Sequence, residues 1–443
     1  MRDRIKIGTG ISMLFLLACS VSYGQDPYGT TLSGGPGVNS SVSPSMNLPT
    51  PDGIFHYSLS ASQLIQFGYY GSGTAYTTSL SGNVGYVSKS TKLPSTILYS
   101  GGVLFTTQAG QGTSTFQNLA ISQGLVNGPW AFYITDSVSY LPQSPTTGLS
   151  GIPGIGDLGS LPIDGPSQGP AGGVLSNFGT RVSNMLSGTA ERRITGKTSI
   201  SGSGNWTLLR FVDGYSGVDN TQVSGDVALN HRFDARDSGS LSATYSNFTY
   251  DSLGYAFHTR GLSASFQRVL SRTLSASVSA GPTWIDSSNS ALIPSRLTFG
   301  GGVGLSYTRR FTSAAINYNR GVNGGSGVQP GAISDSVQGS VGRTYGRDWA
   351  ASVSGNYIHT SGLANNVASS PLFPLGGGAS STVYGGLQVT RKLGRSFSGF
   401  LSYTAQRQSV DNTLASQNAF QGLSQTIGIG ISFSPRSTRL GQF

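Results

Sequence analysis

The residues of this chain that could do acid–base or nucleophilic chemistry are few and widely separated. There are four histidines, and the 17 acidic residues include a single glutamate, Glu191. None of the histidines stands in the HExxH spacing of a zinc protease. One GxSxG match surrounds Ser167, but a nucleophile elbow needs a strand before it and a helix after it, and the flanks here are rich in Pro and Gly. The sequence therefore predicts no enzyme activity, no metal site and no cofactor.

The most regular feature is an alternation of apolar and small or polar residues. Residues 425–435 read QTIGIGISFSP, in which Ile427, Ile429 and Ile431 point to one side of an extended strand. The residues between them are Thr, Gly and Ser, which are too small to fill a second buried layer. A strand with one apolar and one polar face is what a transmembrane β-barrel requires, with lipid outside and lumen inside.

Composition excludes two other classes of protein. Charged residues make up only 10% of the chain, against about 25% in soluble globular domains. Beyond the extreme N-terminus there is no apolar run of about 18 residues, which a membrane-spanning helix would need. Low charge with apolar residues spread singly through alternating segments is typical of a lipid-facing barrel.

Twelve strands are predicted in the second half of the chain, between residues 194 and 435. Their predicted ranges are 194–211, 221–233, 240–250, 258–269, 273–284, 296–309, 314–320, 336–345, 349–359, 382–392, 397–408 and 425–434. Short connections alternate with long ones, which predicts short periplasmic turns and long extracellular loops.

The first half of the barrel, residues 54–141, is predicted to hold four further strands. They cover 74–88, 95–106, 114–123 and 130–141, and 54–70 is an additional candidate. The predicted fold is all-β: a transmembrane antiparallel up-and-down β-barrel of 16 strands. The alternative is 18 strands, if 54–70 counts as two. Closure is required because lipid offers no partner for unpaired backbone groups.

Three segments lie outside the predicted barrel. Residues 1–24 have the basic end and apolar core of an export signal peptide, with cleavage before Gln25. Cys19 follows a Leu-Leu-Ala sequence that resembles a lipobox, so lipidation of Cys19 is the alternative to ordinary cleavage. Residues 25–53 are predicted to be a flexible periplasmic leader, and residues 436–443 form a C-terminal tail.

Residues 142–193 interrupt the strand pattern as a Pro- and Gly-rich insertion. Residues 142–173 contain too much Pro and Gly for a long strand or helix. Residues 174–186 have apolar positions at helical spacing and predict a short amphipathic helix. Two interpretations stay open: a plug inside the lumen, or a periplasmic excursion.

The alternation of side-chain direction along each strand predicts which residues line the lumen. These lumen-lining candidates are Asp226, Asn230, Arg232, Gln267, Asn317, Asn356 and Gln388. Such side chains would wet a pore and tune its selectivity.

The formal net charge is +10, and the region from Arg181 onward holds 22 basic and 11 acidic residues. The arginines there lie at strand ends and short turns rather than in an aromatic-rich cluster. This placement predicts contact with anionic lipid head groups and excludes nucleic acid as a partner.

Taken together, the chain resembles bacterial outer-membrane β-barrel proteins of the porin-like kind. The alternating strands, the loop asymmetry, the final strand QTIGIGISFSP and the terminal Phe443 carry the resemblance. In that class an aromatic residue at or near the C-terminus is the signal for the barrel-assembly machinery, which implies this role for Phe433 or Phe443. The resemblance also implies the outer membrane of a Gram-negative-type bacterium, with lipid and lipopolysaccharide as neighbours.

Three functions are consistent with these features. The leading hypothesis is passive diffusion of small hydrophilic solutes or ions, with anion preference if enough arginines face the lumen. The second is a dedicated exporter, for example of a polysaccharide, gated by the insertion. The third is a non-conducting structural or adhesive surface barrel. The sequence does not fix the oligomeric state.

Overall fold

A computed structural model describes eleven stretches of the chain. They are residues 55–68, 73–88, 90, 92–107, 112–142, 180–212, 219–251, 254–325, 330–364, 378–411 and 420–435. The predictions for the signal peptide, Cys19, the leader, residues 143–179, Ser167 and Phe443 lie outside the described residues. Within the described ranges no helix has the length and apolar character that a membrane crossing requires.

The described residues form eighteen strands. They are β1 (Phe55–Phe67), β2 (Thr74–Val87), β3 (Ser95–Thr106), β4 (Thr113–Asn127), β5 (Trp130–Pro142), β6 (Thr180–Arg193), β7 (Thr198–Phe211), β8 (Asn220–Arg232), β9 (Asp237–Tyr250), β10 (Tyr255–Ser271), β11 (Leu274–Ser287), β12 (Arg296–Arg309), β13 (Thr312–Gly325), β14 (Pro330–Tyr345), β15 (Trp349–Gly362), β16 (Ala379–Lys392), β17 (Phe397–Val410) and β18 (Gly422–Phe433).

The sheet closes on itself. Each strand pairs antiparallel with its neighbours along the chain, and β1 also pairs with β18, from Leu59 opposite Phe433 to Phe67 opposite Gln425. Closure gives both edge strands a partner, so their backbone N–H and C=O groups are bonded as a lipid environment demands. The all-β closed antiparallel barrel predicted from the sequence is confirmed.

The two faces of the wall follow the predicted alternation. On β18 the outward side chains of Ile429 and Ile431 are 62% and 55% exposed, whereas Thr426 and Ser432 on the opposite face of the strand are buried. Across the barrel, exposed Leu, Ile, Val and aromatic side chains share the outer face. A solvent-exposed apolar band of this kind is stable only against lipid.

The strand number is 18, the predicted alternative, rather than the preferred 16, and the two strands beyond the sixteen are β1 and β6. Residues 54–70 contribute one strand, β1, and not two. The helix predicted over 174–186 is wrong from Thr180 onward, because Thr180–Arg193 is strand β6 and pairs with both β5 and β7. Pairing with two neighbouring strands satisfies every backbone group that a helix would bond internally.

The two ends of the barrel differ in their connections. One end, the turn rim, carries the connections 88–94, 128–129, 194–197, 233–236, 272–273, 310–311, 346–348 and 393–396. At the tightest of these, Gly128 has φ +58°, a conformation that L-residues rarely adopt. The opposite end, the loop rim, carries the longer connections. Short turns mark the periplasmic end of such barrels.

The addition of β6 changes where the Pro- and Gly-rich insertion is attached. Pro142 at the end of β5 pairs with Thr180 at the start of β6, and both lie at the loop rim. The insertion therefore leaves and rejoins the barrel at the end opposite the short turns. Whether the insertion is a plug or a periplasmic excursion stays a prediction.

Barrel closure depends on a glycine on the inner face of β18. A Cβ atom at Gly430 would lie 2.4 Å from Cζ of Phe400 and 2.7 Å from the carbonyl oxygen of Ala61 in β1. We expect Gly430→Ala to lower the stability of the barrel by about 1–3 kcal/mol, as overpacking does elsewhere. The urea concentration at which the heat-modifiable gel band disappears measures this effect.

Gly385→Ala on β16 is the matched control, because no atom lies within 4 Å of a Cβ built there. The control should unfold at the urea concentration of the unmodified protein. Equal effects of the two substitutions would show that the β18 contact does not limit closure.

Candidate functional site: the inner wall of the barrel

The inner wall is built largely from hydroxyl side chains that bond one another across strands. Ser60 and Ser81 lie 2.6 Å apart, Ser242 and Ser263 2.6 Å, and Ser275 and Ser306 2.6 Å, measured between hydroxyl oxygens. Every second residue of a strand faces inward, so serine at these positions meets serine on the next strand. The result is a polar wall made of short side chains.

The seven lumen-lining candidates all have inward parity in the register, but they do not form one cluster. Asp226, Asn230 and Arg232 lie on β8. The other four lie on β10, β13, β15 and β16. Asn356 and Gln388 are buried, whereas Gln267 and Asn317 are exposed.

Hydrogen bonds fix the polar atoms of β8. The amide nitrogen of Asn230 donates to Oγ of Ser201 at 3.1 Å, and the hydroxyl of Ser203 donates to the carboxylate of Asp226. These bonds join β8 to β7 and hold both candidates against the wall. The side-chain oxygen and nitrogen atoms of Asn230 and Asp226 that these bonds do not use still face the lumen.

A row of carboxamides crosses β13 to β17 at one register. Asn317 is directly opposite Gln338, Gln338 is opposite Asn356, and beyond Tyr384 the row reaches Gln406. We call Asn317, Gln338, Asn356 and Gln406 the carboxamide row. Opposed residues of antiparallel strands have Cβ atoms about 5 Å apart, which is within reach of a single small solute.

The buried members of the carboxamide row have unused hydrogen-bonding capacity. Gln406 is 3% exposed, and neither its amide nitrogen nor its amide oxygen has a partner among the described residues. The amide oxygen of Asn356 also has none. Because an unpaired buried polar group costs about 1–3 kcal/mol, these groups favour an ordered water that bonds to them.

Charged side chains avoid the middle of the inner wall. In the described strands the inward charged residues are Arg181, Glu191, Arg193, Asp226, Arg232, Arg296 and Lys392. All except Asp226 lie in the first or last three residues of their strands. The basic surplus of the chain is therefore not a lining of the mid-lumen.

An aromatic cluster narrows the loop rim. On the inner face of β9 and β10, Phe248 stacks on Phe257 with ring centroids 4.5 Å apart, and Tyr250 stacks on Tyr255 at 5.0 Å. All four rings are buried, together with Ile285, Ile293, Val322, Leu363 and Ala364. We call this set the mouth cluster.

The mouth cluster holds a hairpin that extends beyond the wall. The pairing of β12 with β13 ends at Gly301–Arg320, but β13 and β14 continue together to Gly325 and Pro330. The hydroxyl of Tyr250 donates to the carbonyl oxygen of Gly324 at 2.6 Å. Because β10, β11 and β12 separate β9 from β13 in the sheet, this contact draws the hairpin tip across the inner face.

Glycines at the hairpin tip make room for the rings. A Cβ at Gly331, whose φ is +78°, would lie 2.7 Å from Cε1 of Phe257, and one at Gly324 would lie 3.1 Å from Cδ1 of Phe248. A small pocket lies next to these rings on the side of the turn rim. Its lining includes the threonines Thr244, Thr259 and Thr283. The sequence predicted a loop over 321–335, so the extended hairpin was missed.

The sequence contains a signal for the mouth cluster. Inward positions of β9 run through serine and threonine up to Ser246 and then change to Phe248 and Tyr250. The same change occurs in reverse on β10, at Tyr255 and Phe257. Aromatic residues at inward parity near a strand end indicate a constriction rather than a lipid-facing girdle.

No group of three or more His, Cys, Asp or Glu side chains within the described residues could hold a metal ion. No protein-family profile matches the chain, and no curated protein matches it in sequence.

Solved structures of similar fold are outer-membrane proteins of Pseudomonas aeruginosa. OccK2 (OpdF) is 11% identical, with 86% of this chain and 98% of that chain covered and a TM-score of 0.43. OpdK with vanillate is 9% identical, with 86% and 98% covered and a TM-score of 0.42. OprD is 11% identical, with 88% and 98% covered and a TM-score of 0.39.

The closed β-sheet wall and its apolar outer face identify the class of protein to which this chain belongs. This chain is a porin-like outer-membrane β-barrel. Its location is the outer membrane of a Gram-negative-type cell. A closed sheet of 18 strands is wide enough to enclose an aqueous lumen.

The bond between Tyr250 and Gly324 should hold the hairpin tip in place. We expect Tyr250→Phe to lower the stability of the barrel by about 1 kcal/mol, the usual contribution of one hydrogen bond. Urea titration of the heat-modifiable band is the measurement. Tyr245→Phe is the control, because Tyr245 lies on the same strand and faces outward; an equal loss in the control would contradict a role for the bond.

Proposed function

We propose that this barrel is a diffusion channel for small hydrophilic solutes. The observation that carries the proposal is the polar inner wall inside a closed sheet, with hydroxyl pairs and the carboxamide row at lumen-facing positions. Water-filled outer-membrane barrels have inner faces of this kind. A purely structural barrel would gain nothing from unpaired buried carboxamides.

The uncharged mid-wall favours neutral, hydroxyl-rich solutes within this class. A carboxamide both donates and accepts hydrogen bonds, so it matches a sugar or polyol hydroxyl in either role. The anion preference suggested by the basic surplus finds no support in the middle of the wall, where Asp226 is the inward charge. Basic residues at the strand ends give at most a weak preference for anions.

Two features bear on the alternative functions. An exporter gated by the insertion fits the attachment of the ends of this segment, Pro142 and Thr180, at the loop rim. A surface-binding barrel fits the long loops but not the polar lumen. The diffusion channel therefore remains the first choice, with a plug role for the insertion as part of the same proposal.

Conductance of the refolded protein in a planar bilayer tests the channel. We expect discrete steps, and larger ones for Phe257→Ala, because this substitution removes a fully buried ring from the mouth cluster. Phe266→Ala on the same strand faces outward and should leave conductance unchanged. A folded, heat-modifiable barrel that does not conduct would contradict the proposal. If deletion of residues 143–173 leaves the conductance unchanged, the insertion is not a plug.

Liposome swelling with neutral sugars tests the solute class. We expect Gln338→Leu, at a half-buried member of the carboxamide row, to slow swelling roughly two- to tenfold, as the loss of about one hydrogen bond would, while potassium chloride conductance stays nearly constant. Gln117→Leu, on the outer face of β4, is the control for the substitution itself. Strong anion selectivity, seen as a large reversal potential in a salt gradient, would show that charges and not carboxamides set the preference.

A further inference from the structure

Basic residues gather at one rim of the barrel. Fourteen arginines and lysines lie in or beside the turns from 194–197 to 393–396, against four acidic residues there. We call these fourteen the basic collar: Arg192, Arg193, Lys197, Arg232, Arg236, Arg268, Arg272, Arg309, Arg310, Arg343, Arg347, Arg391, Lys392 and Arg395. All of them are at the turn rim.

Several collar arginines face outward, toward the membrane. Arg192 is opposite Trp130 across β5 and β6, and Arg391 is opposite Trp349 across β15 and β16. Arg343 shares the outward parity of Val341 and Tyr345 on β14. Their guanidinium groups therefore lie at the boundary between the apolar band and water.

Each of these arginines stacks on an exposed aromatic ring. The guanidinium carbon of Arg192 lies 5.2 Å from the ring centroid of Trp130, that of Arg343 lies 5.0 Å from Tyr345, and that of Arg391 lies 5.0 Å from Trp349. Cation–π contact orients the guanidinium plane over the ring. The N–H donors at its edge remain directed away from the protein, in a geometry that matches a phosphate group.

Carboxylates do not neutralise these arginines. In the described part of the chain Arg192, Arg343 and Arg391 form no ion pair, whereas the guanidinium of Arg268 lies 3.6 Å from the carboxylate of Asp237. Asp234 is held by backbone N–H groups of Arg236 and Asp237, which lower the pKa of its carboxyl below the usual value.

The loop rim differs from the turn rim in its charge pairing. There Arg320 bonds Asp335 at 2.7 Å, and Arg210 lies 3.3 Å from Asp219 and 3.2 Å from Asp251. Arg210 and Arg320 at that end are thus satisfied within the chain, whereas Arg260 and Arg407 there form no ion pair in the described residues. The unpaired, ring-stacked arginines belong to the turn rim.

We infer that the basic collar binds anionic phospholipids of the membrane leaflet at the turn rim. The stacked arginines would receive the phosphodiester, the exposed rings would lie among the head groups, and the surplus of positive charge selects lipids of net negative charge. This inference rests on the fold and the collar, and it does not depend on whether the lumen conducts.

Tryptophan fluorescence reports on this site, because two of the four tryptophans, Trp130 and Trp349, belong to the stacked pairs. In a background with Trp206→Phe and Trp284→Phe, quenching by brominated phosphatidylglycerol is compared with quenching by brominated phosphatidylcholine in vesicles. We expect a relative affinity of roughly fivefold for the anionic lipid, the effect of about one basic residue near the surface. The ratio should fall toward one in Arg192→Gln/Arg391→Gln, which removes the stacked arginine from both reporter rings.

The matched control removes the same charge from the outer face at the loop rim. Arg260 and Arg407 face outward there and form no ion pair in the described residues, so Arg260→Gln/Arg407→Gln should keep the ratio. A ratio near one in the parent, or an equal fall in the control, would overturn the inference. Stronger competition by lipid A than by unlabelled phosphatidylglycerol would do the same. Heat-modifiable mobility shows that each variant has folded.

Discussion

Pairing of every backbone N–H and C=O group is the constraint on which the rest of this structure depends. In hydrocarbon an unpaired peptide group has no water with which to form a hydrogen bond. The sheet must therefore close, and it does so by pairing β1 with β18. Closure in turn fixes an even number of strands with both ends of the barrel chain at the turn rim. It also divides every strand into an outward and an inward face.

The two faces then meet different demands. Outward residues need only be apolar, and exposed Leu, Ile and Val satisfy this without packing against the chain. Inward residues must be small or must bond one another, which explains the serine pairs and the close approach of Phe400 to Gly430. Larger inward side chains are tolerated at the loop rim, where the mouth cluster packs around the β13–β14 hairpin.

The one strand that sequence reasoning missed shows what tertiary pairing adds. In β6 the apolar residues Val182, Met185 and Leu186 fall at helical spacing, and Asn184 occupies an outward position. The neighbouring strand resolves this conflict, because the amide of Asn184 donates to the carboxylate of Asp136 on β5 at 2.8 Å. No periodicity within 180–193 could reveal that bond.

The alternation of residue types by itself determined the barrel and its two faces. It also determined the inward parity of Asn356, Gln388 and the other lumen-lining candidates, because side-chain direction along a strand has a fixed period of two. The sequence also showed that basic residues lie at strand ends. Only the tertiary structure decided which side chains meet: the register that aligns Asn317, Gln338 and Asn356, the folding of one hairpin over the aromatic rings, and the collection of the arginines at a single rim. Contacts between residues distant in the chain depend on register and closure, which no local pattern encodes.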